Sequence, residues 1–409
     1  MKKGTFTYFV YTCLVLLLCT TDIYGQLDVQ QLTEQQGLGN NTVNTIHQDR
    51  KGFLWIGTDI GMTRYGGNYF HTYNLSRPGG EPISISNIEE TEDRYLWLES
   101  EDGILSCFDK QQEKYLSIQW NDEIKQEEIQ KLYSTGNTLY AILPNGLYMI
   151  DVKSDGKMIQ LNKKPILENK KLFQSLSGQG TNLYLTDQDN RLIIYNTQNE
   201  KSEILDCTAW GIRTSDILNI YIRHDHLFVC GNFEGIICYS LKEKNFRTIK
   251  ITNNQADYRQ PNIREICHLE DNRFAISNRR FIYEMTFDGE NYLHAKVEID
   301  RRVQYERQFE KLIRNRITKL HYDSDNHVLW IGTYGNGLIR QNISQSYAFQ
   351  IKLPENVYHI NDIVQDADGY IWIGTRKHGI LKSTDTELTQ NTQFVNWTHA
   401  DKDKSFHLQ

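Results

Sequence analysis

The chain has 409 residues, with 45 Lys and Arg against 52 Asp and Glu and a net charge of −7. That balance argues against a general nucleic-acid binder, and a chain that is 39% hydrophobic and 11% aromatic excludes disorder and suits a strand-rich globule. Beyond the N-terminal run, no stretch approaches the ~18 apolar residues that a membrane helix needs.

Residues 1–25 read as a secretion signal. Lys2 and Lys3 form a charged start, Phe9 to Cys19 is an apolar run short of a membrane span, and Gly25 offers a small residue for cleavage before Gln26. Cleavage is preferred to lipid attachment at Cys19, because Leu18 stands where that signal wants a small residue. Export is therefore expected. The remaining cysteines, Cys107, Cys207, Cys230, Cys238 and Cys267, are odd in number and show no CxxC spacing, which disfavours zinc. Cys230 and Cys238 flank the turn Gly231 to Gly235 and could face each other across a hairpin, but read best as separate buried thiols.

The first strong pattern is Asn44 to Tyr65. Its residues Val43, Thr45 and His47 alternate with Asn44, Ile46 and Gln48, predicting a strand with a face toward each neighbour. Asp49 to Gly52 predicts a hairpin turn in which Asp bonds its own backbone and Gly takes positive φ. Leu54 to Thr58 predicts the next strand, with Trp55 as an apolar wedge; Gly57 and Gly61 flank the following turn. The pattern returns at Ile317 to Arg340, with Trp330, Gly332 and Thr333, and at Asn361 to Lys382, with Asp366, Gly369, Trp372, Gly374 and Thr375. Weaker copies lie between, marked by Trp97, Tyr140, Tyr184, Phe228 and Phe274. A spacing of about 40–50 residues is that of propeller blades, and the interval from Phe274 to Trp330 is longer than the others.

An all-β fold follows, built of four-stranded blades that cannot bury both faces alone. Leu27 to Thr33 has no blade of its own to serve, so it is predicted to complete the last blade and close a ring. The expected organisation is a seven-bladed β-propeller over 26–345 and the first blade of a second, incomplete propeller over 346–409, the alternative being a single eight-bladed propeller. Within the longer interval, Asp300 to Arg316 places Tyr305, Phe309, Leu312 and Ile313 at helical spacing beside Arg307 and Lys311, predicting a short helix or long loop with a solvated basic face.

At Gly37 to Tyr73 the run resembles the two-component regulator propeller repeat, through Gly37-Leu38, Asn41, Val43, Ile46, Asp49, Gly52, Trp55, Gly57-Thr58, Gly61, Arg64-Tyr65 and Phe70. The resemblance implies the N-terminal part of the periplasmic sensor region of a bacterial hybrid two-component system. In that family two seven-bladed propellers precede a β-sandwich, a membrane span, a histidine kinase, a receiver and a DNA-binding module. None of those later modules is in this chain. The implied role is ligand sensing, with glycan breakdown products such as oligosaccharides as ligands, a second propeller and kinase modules as partners, and a homodimer as a further expectation.

The fingerprint residues are structural and carry no ligand positions. Aromatic and paired polar groups where blade loops converge give the binding candidates Trp210, Tyr258, Arg264, Tyr334, Arg376 and His378. Asp323 and Asp366 each open a calcium-loop-like run, but Tyr334 and Lys377 stand where that loop needs Glu, so both are turn residues. His224-Asp225-His226 falls at a hairpin turn and reads as solvated. No GxSxG, P-loop or HExxH occurs, and no catalytic residue, metal or cofactor is expected. The competing classes are an enzyme on a propeller scaffold, a sialidase-like hydrolase or a lyase, and a protein-interaction propeller. The Asp-x-x-Gly-x-x-Trp order here differs from the sialidase Asp-box, and no Ser or Thr leads it.

Overall fold

The computed structural model describes residues 29–92, 94–120, 129–154, 157–168, 172–249, 262–279, 281–287, 296–299, 316–343, 353, 359–386 and 392–397. The chain divides into two compact units, Leu27–Ser344 and Gln345–Gln409 with Met1–Gln26. The secretion signal with Gly25 and Gln26, Tyr258, and the helix predicted around Arg307 and Lys311 lie outside the described residues.

Every described sheet is built from an antiparallel four-stranded meander, here labelled A to D. Blade 1 has strands Val43–Gln48, Leu54–Thr58, Gly61–Tyr65 and Phe70–Asn74, and blade 2 has Ile85–Thr91, Tyr95–Ser100, Leu105–Asp109 and Lys114–Trp120. Blade 3 comprises Lys131–Thr135, Thr138–Leu143, Gly146–Ser154 and Met158–Glu168, the last pairing in parallel with strand D of blade 2. Blade 4 comprises Phe173–Gln179, Asn182–Asp187, Arg191–Asn196 and Lys201–Asp206, and blade 5 Ile217–Arg223, His226–Gly231, Ile236–Ser240 and Asn245–Ile249. Blade 6 comprises Glu265–His268, Arg273–Ser277, Ile282–Thr286 and Lys296–Ile299. In blade 7, strands Ile317–Asp323, Val328–Thr333 and Leu338–Asn342 are joined by Val29–Leu32 from the start of the chain, with Val29 opposite Gln341 and Leu32 opposite Leu338. The A strands touch in succession from blade 1 to blade 7, and that of blade 7 touches that of blade 1, so the ring closes. The second unit holds one further meander, Ile360–Gln365, Ile371–Thr375, Ile380–Ser383 and Phe394–Trp397.

The core is accordingly a set of separate apolar layers, each between consecutive blades. Trp55, Met62 and Tyr73 of blade 1 pack on Ile85, Ile88, Leu96, Leu98 and Phe108 of blade 2. Across the closing interface, Leu54 and Ile56 of blade 1 meet Trp330 and Leu338 of blade 7 and Leu32 of the N-terminal strand. The signature residues explain this packing. A Cβ added at Gly57 would stand 2.6 Å from Thr45 Cγ2 and 2.9 Å from Ile85 Cγ2, and one at Gly332 would stand 2.9 Å from Val43 Cγ1. The glycine of the Trp-Ile-Gly-Thr strand thus makes room for the first strand of the next blade. The threonine braces the B–C loop: Thr58 Oγ1 donates to Gly61 O at 3.1 Å, Thr333 Oγ1 to Gly337 O at 2.6 Å and Thr375 Oγ1 to Gly379 O at 2.7 Å.

Two expectations need correction. The plain alternation predicted along strand A is interrupted, because the register slips between Val43 and Thr45 and Asn44 bulges out of the ladder. The bulged side chain then reaches Asp59 Oδ1 at 2.9 Å and Ser84 Oγ at 3.0 Å. The slip recurs at Ser86, Gln174, Leu218, Thr318 and Asn361. Blade 6 is also offset from its sequence marker. Cys267 pairs with Ala275 as His47 pairs with Trp55, so Ala275 holds the tryptophan position; Phe274 faces back toward blade 5, 5.4 Å from Phe228.

Cys230 and Cys238 are free, buried thiols in the layer between blades 5 and 6. His224 and Asp225 form the turn between strands A and B of blade 5, His224 at φ 50°. Among the described residues no helix is long and apolar enough to cross a membrane.

Candidate binding face

Because strand A leads into a tight A–B turn, the B–C loops and the D-to-A connections gather at the opposite end of the ring. The residue after the Gly-Thr pair begins each B–C loop: Asp59 in blade 1 and Tyr334 in blade 7. By register, Asn232 holds this place in blade 5 and Arg279 in blade 6. Arg264 takes the bulge position before strand A of blade 6, and Arg316 immediately precedes strand A of blade 7.

Backbone bonds fix these positions relative to one another. Arg264 N donates to Ser277 O at 2.8 Å, Ile317 N to Arg279 O at 2.9 Å and Tyr334 N to Arg316 O at 2.9 Å. The Arg264 guanidinium donates to Asn232 Oδ1 at 3.1 Å. Partial burial, together with the neighbouring guanidinium groups of Arg279 and Arg316, lowers the pKa of Arg264 below the ordinary arginine value. Among the described residues no carboxylate forms a salt bridge to any of the three arginines. Tyr334 and Phe281 lie beside them with 59% and 42% of their surface exposed. The arrangement suits an anionic ligand that also presents a flat apolar face.

The remaining candidates are placed differently. Trp210 is buried, stacked on Tyr239 at 5.3 Å in the layer between blades 4 and 5, where a 3-10 turn over Cys207–Trp210 carries it inward. Arg376 and His378 belong to the B–C loop of the second unit's sheet, where His378 N donates to Thr375 Oγ1 at 3.0 Å. The residues missed as binding candidates in the sequence are Arg279 and Arg316. The loop of Arg279 follows the most eroded copy, where no Gly-Thr marks the position, and Arg316 ends the charged interval whose face reads as solvated.

The axial cavity of the ring, about 510 Å³, is lined by Ser177, Asn219, Tyr221, Glu265, Lys319 and His321. Its charges are matched internally. Lys319 lies 3.1 Å from Glu265, which raises the lysine pKa against the opposing effect of burial. This polar interior holds the A strands together, leaving the loop end as the better candidate for a ligand.

The sequence matches the family model for the two component regulator propeller at residues 37–59 and 352–377, once in each compact unit. Both matches fall on copies of the Trp-Ile-Gly-Thr repeat. Among solved structures, the chain is similar to the extracellular domain of the hybrid two component system BT3049 from B. thetaiotaomicron, at 17% identity and a TM-score of 0.53, over 88% of this chain and 48% of that one. The corresponding domain of BT4673 gives 16% identity and a TM-score of 0.54, over 93% and 48%. Virginiamycin B lyase from Staphylococcus aureus gives 12% and 0.56, over 78% and 99%. At these identities the likeness establishes the shared fold. The chain spans about half the length of the two extracellular domains it matches. A comparison with the curated proteins found no match to the sequence.

Proposed function

We propose that the chain is the ligand-binding, extracytoplasmic part of a two-component sensor, and that it recognises acidic oligosaccharides released from glycans. The observation that carries the reading is the convergence of Arg264, Arg279 and Arg316 beside the exposed ring of Tyr334. Guanidinium groups bind carboxylates through paired, charge-assisted hydrogen bonds, and an exposed aromatic ring stacks on the apolar face of a sugar. The signal pattern over residues 1–25 supports export to the periplasm. Kinase modules of a longer polypeptide would then receive the signal.

Residues 346–409 open a second propeller in this reading. Ile363, Val364 and Val395 of that sheet are more than half exposed, as expected of a blade whose neighbours lie further along a longer chain. A Cβ added at Gly374 would meet only Asp362 of its own sheet, at 3.8 Å, whereas Gly57 and Gly332 face the next blade.

The test is calorimetric titration of the chain with oligogalacturonides and with neutral galactans, followed by chromatography of the recovered sugar. The expected result is binding of the acidic sugar alone, recovered uncleaved, with an Arg264→Ala, Arg279→Ala, Arg316→Ala variant weakened by about 100-fold. Equal indifference to both sugars would overturn the ligand class. Cleavage would overturn the sensor reading in favour of an enzyme.

A further inference from the structure

The arginine face occupies a place that recurs from blade to blade. Three positions meet there: the bulge residue of strand A, the first residue of the B–C loop, and the residue before strand A of the following blade. In blade 1 these are Asn44, Asp59 and Ser84. They close on themselves around one carboxylate oxygen: Asp59 Oδ1 accepts from Asn44 Nδ2 at 2.9 Å and from Ser84 Oγ at 3.2 Å, and Asn44 Nδ2 also lies 3.0 Å from Ser84 Oγ. The register of blade 6, in which Glu265 pairs with Ser277 as Thr45 pairs with Gly57, puts Arg264, Arg279 and Arg316 in the same three positions. The donors remain and the acceptor is gone. In blade 7 the positions hold Thr318, Tyr334 and Thr42, so the set of three cations is no general feature of the repeat.

Among the described residues nothing neutralises the set. The Arg264 guanidinium meets the neutral amide oxygen of Asn232, at 3.1 Å, and Arg279 and Arg316 are exposed. Partial burial, with the charges of Arg279 and Arg316, lowers the Arg264 pKa, so the cations are held together at a cost that a bound anion offsets. A carboxylate has two oxygens in one plane and is saturated by the fork of a single guanidinium. A sulfate or phosphate ester has three terminal oxygens in a tetrahedral array, one for each arginine. On the reading of this face as the sugar site, we infer that the three arginines together hold one such tetrahedral ester group on the ligand. That group takes the place that the Asp59 carboxylate holds in blade 1. The exposed ring of Tyr334, whose backbone N–H donates to Arg316 O, then stacks on the sugar that carries the ester. A polyuronide instead spreads its carboxylates over successive residues and offers no single group with three acceptors.

The experiment is calorimetric titration of the intact chain with galactose 6-sulfate, galactose 6-phosphate and galacturonate. The sulfate and galacturonate carry the same single charge at the same carbon, so a difference between them reads the geometry of the oxyanion. An ester should bind at least ten-fold more tightly than galacturonate. Preference for the sulfate marks a sulfated glycan as the source, and tight binding of the phosphate alone marks a phosphorylated sugar. Arg279→Lys and Arg316→Lys keep the charge but remove the fork, and each should weaken the ester about ten-fold. Both side chains are exposed, so the two variants should melt with the wild type. Lys51→Gln, on the A–B turn of blade 1 at the other end of the ring, should leave ester binding unchanged. Esters no tighter than galacturonate, or full ester binding by either lysine variant, would overturn the inference and leave the wider acidic-oligosaccharide reading standing where oligogalacturonides bind. Indifference to esters and oligogalacturonides alike would remove both.

Discussion

Lys110 Nζ, on the turn that follows strand C of blade 2, lies 3.1 Å from Asp49 Oδ2 of blade 1. The same ammonium contacts Glu90, and Asp49 is also the acceptor for the Trp55 indole. All three charged side chains are buried, so one cation joins the hairpin turn of blade 1, the signature tryptophan and strand A of blade 2. Lys110→Met would leave two buried carboxylates without their cation. The expected loss is about 3–5 kcal/mol, measured by urea denaturation. A variant as stable as the wild type would show that the contact is incidental to the blade interface.

The signature glycines make a paired prediction. Gly57→Ala and Gly332→Ala press a methyl group into the neighbouring blade and should each destabilise the ring by about 1–3 kcal/mol. Gly374→Ala has space in its own sheet and should leave the melting curve of the chain unaltered. Thermal unfolding of the three variants checks this, and equal effects at all three positions would refute the packing role.

Acid should weaken the ring in two steps. Burial, reinforced by His47, lowers the pKa of His321 from 6.5 to about 4. The unfolded chain therefore takes up this proton first, and the contribution present above pH 6.5 is lost as pH falls toward 4. Burial opposes the charge on Glu90, but His47, 3.8 Å away, and the contacting Lys110 ammonium outweigh it and lower the pKa from 4.5 to about 2. Its contribution is present above pH 4.5 and disappears as pH falls through 2. Denaturation midpoints measured from pH 8 to pH 2.5 should show His321→Gln flattening the upper step and Glu90→Gln the lower.

Ring closure can be tested at Leu32, which is buried in the layer joining blades 7 and 1 and pairs with Leu338. Leu32→Ala should cost about 2–5 kcal/mol, comparable to a deletion in any other layer. Hydrogen exchange should then show faster opening in blade 7 than in blade 4. Uniform exchange around the ring would argue that the N-terminal strand does not serve as the clasp.

Much of the architecture was legible in the residues because it rests on local rules. Period-two alternation, an Asp-to-Gly turn and a recurring aromatic wedge each act within one hairpin, so the blades at Trp55, Trp330 and Trp372 could be read directly. The closing strand could be read as well, since Leu27 to Thr33 had no blade of its own. The bulge at Asn44 was not legible: alternation alone does not show where a ladder slips, and the bulged side chain is held by Asp59 of its own blade and by Ser84, which leads into the next. Blade 6 was misread by one residue because an aromatic was expected where the register places Ala275, and a one-residue shift turns a side chain to the other face.

By itself, then, the sequence determined the repeat, its strand pattern and the means of closing the ring, all set by neighbours a few residues apart. Tertiary structure alone decided that Arg264, Arg279 and Arg316 converge and that Trp210 is buried. Those properties depend on how separate blades meet, which no local pattern records.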